Sequence, residues 1–150
     1  MCKEIYFETQ RVRVQKLYSQ KHNAFGSAAA FANWFVEQLK EYDCKCYYCA
    51  SSIHDINKLI SAGLLKTRSV RGTGKRGPVL EIDKQENGYC IDECVLACYY
   101  CNNDKSYTCS KEDYKKYFGP TRKLYFDALL QELLHREKQS TVILQNDTIQ

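Results

Sequence analysis

Four cysteines in two short turns are the first residues whose types and spacing promise chemistry. Cys46 and Cys49 stand in "CYYC", and Cys98 and Cys101 stand in an identical "CYYC" downstream. A C-x2-C turn aims two thiolates at one point, and two such turns close a tetrahedral four-sulfur shell of the kind zinc prefers. A shell closed by four protein ligands has no open position, so this metal is expected to serve structure rather than catalysis. Cys44 offers a rival ligand in "CKCYYC", but the x2 spacing common to both pairs favours Cys46. Cys2, Cys90, Cys94 and Cys109 are then most simply small hydrophobes. A second zinc on Cys44, Cys90, Cys94 and Cys109 is the less favoured alternative.

A second set of polar residues surrounds the later pair. "LEIDKQENGY" ends a β-prone step at Asp83 and is followed by Lys84 and Tyr89, while Asn102 comes directly after Cys101. Taken singly, Asp83 could cap a turn, Asn102 could cap a helix and Tyr89 could be a packing aromatic. A third set is basic. The stretch "LLKTRSVRGTGKRGPV" holds Lys66, Arg68, Arg71, Lys75 and Arg76 with no acid among them and three glycines. Its bland reading is a solvated loop; beside a hydrolytic site, phosphate contact becomes the better one.

Taken together, Asp83, Lys84, Glu86, Asn87, Gly88, Tyr89, Cys98, Cys101, Asn102 and Lys105 follow a known order. The sequence resembles the HNH, or ββα-metal, endonucleases, and is similar above all to small phage and bacterial members whose four cysteines clamp the active-site fold. The resemblance covers roughly residues 25–118. It implies an α+β fold with a zinc-stapled ββα-metal core surrounded by helices. It also implies DNA hydrolysis with one catalytic Mg²⁺ or Mn²⁺ held by Asp83 and Asn102. Such an ion needs only one or two protein oxygens and keeps most of its waters. Lys105 is then a phosphate or backbone contact. The sequence departs from the family in two places. Lys84 stands where the usual general base is a histidine, and Glu93 stands where an Asn orders the loop. A lysine is protonated at neutral pH and serves poorly as a base. Tyr89, with Lys84 as its helping cation, is the candidate for the lost role. His22, His54 and His135 all lie outside the motif.

The elements that must position these residues are partly legible. Phe31, Trp34, Phe35 and Leu39 form one helical stripe, with Trp34 expected in the core against the knuckle. A second helix is expected over residues 51–62, with Ile53, Ile56 and Ile60 inward and Gly63 at its C-terminal cap. The glycine-rich basic stretch suggests a hairpin or an extended loop. Ser110 and Asp113 form a near capping box that opens a helix, which Gly119-Pro120 is expected to break. A last helix over residues 121–137 carries Phe126, Leu129, Leu130, Leu133 and Leu134 for the core or a dimer face. Residues 1–24 read as a basic arm or short strand, and the tail as frayed.

A chain of 150 residues with net charge +4, 44% apolar and 27% charged residues fits one globular domain spanning 1–150. No apolar run approaches a membrane span, no signal-peptide pattern opens the chain, and nine cysteines then point to a reducing, cytoplasmic setting. The expected partner is double-stranded DNA, with no membrane and with a homodimer for double-strand cutting. The rival expectation is a zinc-containing nucleic-acid-binding module that has lost catalysis.

Overall fold

The computed structural model describes residues 3–70 and 74–147, with side chains for all of these but 20, 21, 69, 70, 74, 75 and 141–147. The N-terminal segment, expected as an arm or strand, is a helix. Tyr6, Gln10 and Val14, one turn apart, are the buried residues of α1 (Lys3–Leu17), which packs along α2. A stripe one residue wide is masked in the sequence by the charges around it, so only the partner helix reveals it. A 3₁₀ turn (Gln20–Phe25) leads into α2 (Ala28–Glu41), where Ser27 accepts a hydrogen bond from Ala30 N at 3.1 Å. Phe31, Phe35 and Leu39 of the expected stripe are buried, together with Ala32 and Val36. Trp34 is half-buried, its ring 4.8 Å from that of Phe25.

Helix α3 (Ile53–Ser61) buries Ile53, Ile56 and Leu59, so Leu59 takes the inward place expected for Ile60. It ends as the sequence suggests. Gly63 has φ +73°, and the N–H of Leu64 reaches Leu59 O at 3.0 Å, the six-to-one bond of a Schellman cap. The basic stretch forms a hairpin, with β1 (Ser69–Val70) antiparallel to β2 (Gly74–Lys75) and Ser69 opposite Lys75.

A second antiparallel pair joins β3 (Glu81–Asp83) to β4 (Val95–Ala97), with Glu81 opposite Ala97 and Asp83 opposite Val95. Their connection folds back through a tight turn in which Gly88 N–H meets Gln85 O at 2.9 Å and Gly88 has φ +82°. β4 runs directly into α4 (Tyr99–Lys105). Among the described residues the architecture is thus α+β, mostly helical with two small two-stranded sheets.

Ser110 caps the next helix by accepting from Asp113 N at 3.1 Å, as expected. The helix does not break at Gly119-Pro120. α5 (Lys111–Asp113) passes through a π turn (Tyr114–Phe118) into α6 (Gly119–Asp147), which continues well beyond residue 137 and through most of the expected tail. Gly119 N–H bonds Tyr114 O, five residues back. The ladder is already out of step when Pro120 arrives without a donor, so the proline is absorbed. Phe126 is buried, Leu129, Leu130 and Leu133 are half-buried, and Leu134 is exposed. Among the described residues no helix is long and apolar enough to cross a membrane.

Candidate metal centre and adjoining groove

The first cysteine pair sits on a turn closed by its own backbone. Cys46 N–H donates to Ser51 O at 3.0 Å, Ala50 N–H to Cys46 O at 2.9 Å, and Ile53 N–H to Cys44 O at 3.0 Å, with Ala50 at φ +56° closing the turn. The second pair opens α4, where Cys98 is the N-cap and its sulfur accepts from Cys101 N at 3.5 Å. Tyr47 N–H to Leu96 O at 2.9 Å ties the first turn to β4 and so brings the pairs together.

The four sulfurs of Cys46, Cys49, Cys98 and Cys101 all lie within 4.8 Å of one another and all four residues are buried. A tetrahedral zinc with sulfurs at about 2.3 Å would set them about 3.8 Å apart. The donor set and its geometry therefore fit a structural metal such as zinc. Hydrogen bonds from the other thiols, Cys101 first, hold the Cys49 thiol far below the usual range. Among the described residues no other group of three or more Cys, His, Asp or Glu converges in this way, so Cys44, Cys90, Cys94 and Cys109 do not gather into a second site. Burial alone accounts for Cys44, and burial pushes the Cys94 thiol up to about 11.

The aromatic residues between the cysteines reach outward from the knuckle. The Tyr48 hydroxyl donates to Asp83 Oδ2. Burial, and then this bond, push the phenol far above its ordinary value, so Tyr48 acts only as a donor. Lys105 Nζ lies 3.3 Å from the same Asp83 oxygen, and both side chains are about 95% buried, at 4% and 5% exposed. Lys105, expected at a phosphate, is thus placed inside as the partner of Asp83.

Asn102, expected to join Asp83, instead meets Glu81: its Nδ2 donates to Glu81 Oε2 at 3.1 Å. Asn102 and Lys105 are three residues apart on one face of α4, so β3 turns both carboxylates toward that helix. Glu81 also receives a fork from Arg76, with Nε to Oε1 at 2.9 Å and Nη2 to Oε2. The Arg76 guanidinium stacks 5.0 Å from the Tyr99 ring, so it is engaged rather than free. Of the other basic-stretch residues, Lys66 and Arg68 are exposed; only the backbone of Lys75 is described, and Arg71 lies outside the described residues.

Glu81, Asn102, Lys84 and Tyr89 open onto a groove of about 630 Å³ whose far wall is the N-terminal segment and α2. Arg13, Leu17, His22, Phe31 and Phe35 come from that wall. Arg13 lies over the Phe35 ring at 5.5 Å, and burial lowers its guanidinium against the pull of Tyr6 and Glu81. Lys84 is exposed, and the Tyr107 hydroxyl beside it raises its ammonium further, leaving it a cation rather than a base.

Glu81, Tyr48, Arg13 and His22 are site residues that the motif spacing did not single out. Glu81 stands in the quoted "EID" step, two residues ahead of Asp83, which was its only local signal. The other three come from segments that meet the site only in three dimensions. In comparisons with known proteins, no family model, no curated protein and no solved structure matches the chain.

Proposed function

We propose that the protein is a metal-dependent DNA endonuclease of the HNH type, with β3, β4 and α4 as its ββα-metal unit and the four-cysteine zinc as its staple. The observation that supports this most is the clamp itself. The knuckle fixes the start of α4 against β3, so that Glu81 faces Asn102 and Asp83 faces Lys105, beside a groove lined by Arg13, Arg76 and Lys84. Hydrolysing a phosphodiester needs charge neutralisation, a positioned water and help for the departing oxygen. Asp83 and Asn102 carry hard oxygen donors of the type Mg²⁺ or Mn²⁺ accepts, and Glu81, bonded to Asn102, adds a further carboxylate. When bound, that ion supplies charge neutralisation at the phosphate. The cations of the groove and the exposed Lys66 and Arg68 supply phosphate attraction along double-stranded DNA, and two copies would serve a double-strand cut.

One observation favours a second reading, a catalytically silent nucleic-acid-binding module. Lys105 and Tyr48 already satisfy Asp83 inside the protein. Incubation of the zinc-loaded chain with supercoiled plasmid and Mg²⁺ or Mn²⁺ separates the two. Nicking that disappears in Asp83→Ala and Asn102→Ala, with zinc content retained, is the expected result. DNA binding with no nicking under either ion establishes the binding module instead.

A further inference from the structure

Among the described residues, two buried side-chain hydroxyls make no ordinary hydrogen bond, those of Tyr6 and Ser51. Tyr6 belongs to α1, but Ser51 is part of the knuckle turn itself. It follows Cys49 by two residues, and its carbonyl accepts from Cys46 N–H at 3.0 Å. The residue is only 5% exposed. Its neighbour Ser52 has a clear task, since Ser52 Oγ accepts from His54 N at 3.2 Å where α3 begins. The Ser51 hydroxyl is pinned beside a ligand turn and shut away from bulk water. A buried hydroxyl left unpaired is destabilising, so one in this place calls for an acceptor.

The acceptor within reach is a sulfur. The Ser51 side chain lies near enough to Cys49 to act on its sulfur as a donor, although outside the geometry of an ordinary hydrogen bond. A thiol is a weak acceptor, whereas a metal-bound thiolate carries a negative charge and accepts well. Four thiolates around one divalent cation also leave negative charge in excess, here on cysteines that are 0–2% exposed. Buried charge of that kind has to be offset by donors. The Cys98 sulfur has one in Cys101 N–H at 3.5 Å. For Cys49 the corresponding group is the Ser51 hydroxyl.

We propose that Ser51 is a positioning residue of the metal centre, whose hydroxyl donates to the Cys49 thiolate once the metal is bound. This rests on the four-cysteine metal site and is independent of the nuclease reading. A thiolate that shares its charge with a donor is less basic and therefore less nucleophilic. The hydroxyl thus keeps Cys49 on the metal and protects its sulfur from electrophiles, so that the knuckle stays a staple and not a reactive centre.

The test uses the full chain loaded with zinc and, separately, with Co²⁺, as wild type, Ser51→Ala and Ser51→Thr. Ser51→Ala removes the hydroxyl and little else, while Ser51→Thr keeps it. In the Co²⁺ form, loss of a donor from one thiolate should move the sulfur-to-metal charge-transfer band to longer wavelength in Ser51→Ala, and Ser51→Thr should restore it. Zinc affinity, read by chelator competition, should fall about 10–100-fold in Ser51→Ala, the usual cost of losing a partner of a metal ligand. Iodoacetamide should label Cys49 faster in that variant, located by mass spectrometry. The sign of the Tm change separates this role from packing. A bond to the thiolate predicts a lower Tm for zinc-loaded Ser51→Ala, whereas a hydroxyl with no acceptor predicts an equal or higher one. In wild type itself, loaded with cadmium, NMR should show the Ser51 hydroxyl proton protected from exchange and coupled to the metal across the Cys49 sulfur. An unshifted band and unchanged zinc affinity in Ser51→Ala, with Tm equal or raised, overturn the assignment and leave the four-cysteine site standing. A wild-type chain that takes up neither zinc nor Co²⁺ overturns both.

Discussion

The knuckle and the groove lie side by side, yet they are built on opposite plans. Each cysteine pair is contained in a turn of a few residues closed largely by its own hydrogen bonds, and the four cysteines are buried at 0–2% exposure. The groove draws single residues from α1, the 3₁₀ turn, α2, the β2–β3 link, β3 and α4, and its polar groups stay partly in solvent. A locally coded, dry site can carry the stability of the fold. A site assembled from distant pieces can exchange one residue without dismantling the rest.

This contrast predicts a steep order of effects. The largest should come from the knuckle: Cys98→Ser, or chelation of the metal, should unfold the protein, since structural zinc contributes about 10–16 kcal/mol in zinc-finger peptides. Elemental analysis should give about one zinc per chain, and loss of the circular-dichroism signal with the metal checks the linkage. A folded, metal-free Cys98→Ser protein would break the comparison at its root.

Next is the buried pair that joins the two regions. Lys105→Met should destabilise by about 3–5 kcal/mol, because it leaves the Asp83 carboxylate buried with only uncharged partners. The double variant Asp83→Leu/Lys105→Met should recover much of that loss in urea denaturation. Equal losses in the single and double variants would show that the pair is not held as a unit.

A smaller effect is expected where α6 crosses the knuckle. A Cβ on Gly119 would lie 2.3 Å from Tyr48 O, a backbone atom that cannot rotate away. Gly119→Ala should therefore cost about 1–3 kcal/mol by overpacking, read as a lower Tm at unchanged zinc content. An unaltered Tm would mean that α6 can slide on the knuckle.

The smallest effect belongs to the groove's outer wall. The Tyr6 hydroxyl is buried without a hydrogen-bond partner among the described residues, and burial pushes its phenol up to about 12. The folded state therefore holds this proton longer than the unfolded chain does. The contribution is fully present below about pH 10 and is lost as pH rises toward 12. Tyr6→Phe should remove that alkaline loss and raise stability near neutrality by about 1 kcal/mol, since an unsatisfied buried hydroxyl disappears. Stability against pH for the two proteins checks both effects.

What the sequence by itself determined is whatever a few consecutive residues can enforce. The x2 spacing of Cys46 and Cys49, and of Cys98 and Cys101, selected the four sulfurs, because a turn of four residues can aim only two thiols at one point. Gly63 ended α3 and Ser110 opened the next helix for the same local reason. Pro120 misled, because a proline signals a break only if the preceding ladder is regular, and the π turn had already shifted it. Only the tertiary structure decided the rest. It turned α1 into the wall of a groove, gave Asp83 to Lys105 and Tyr48, gave Glu81 to Asn102 and Arg76, and set His22 against Tyr89. Those pairings span from five to 67 residues of chain. The bond that a charged or aromatic side chain makes over most such distances is fixed by how helices and strands pack, which spacing along the sequence does not encode.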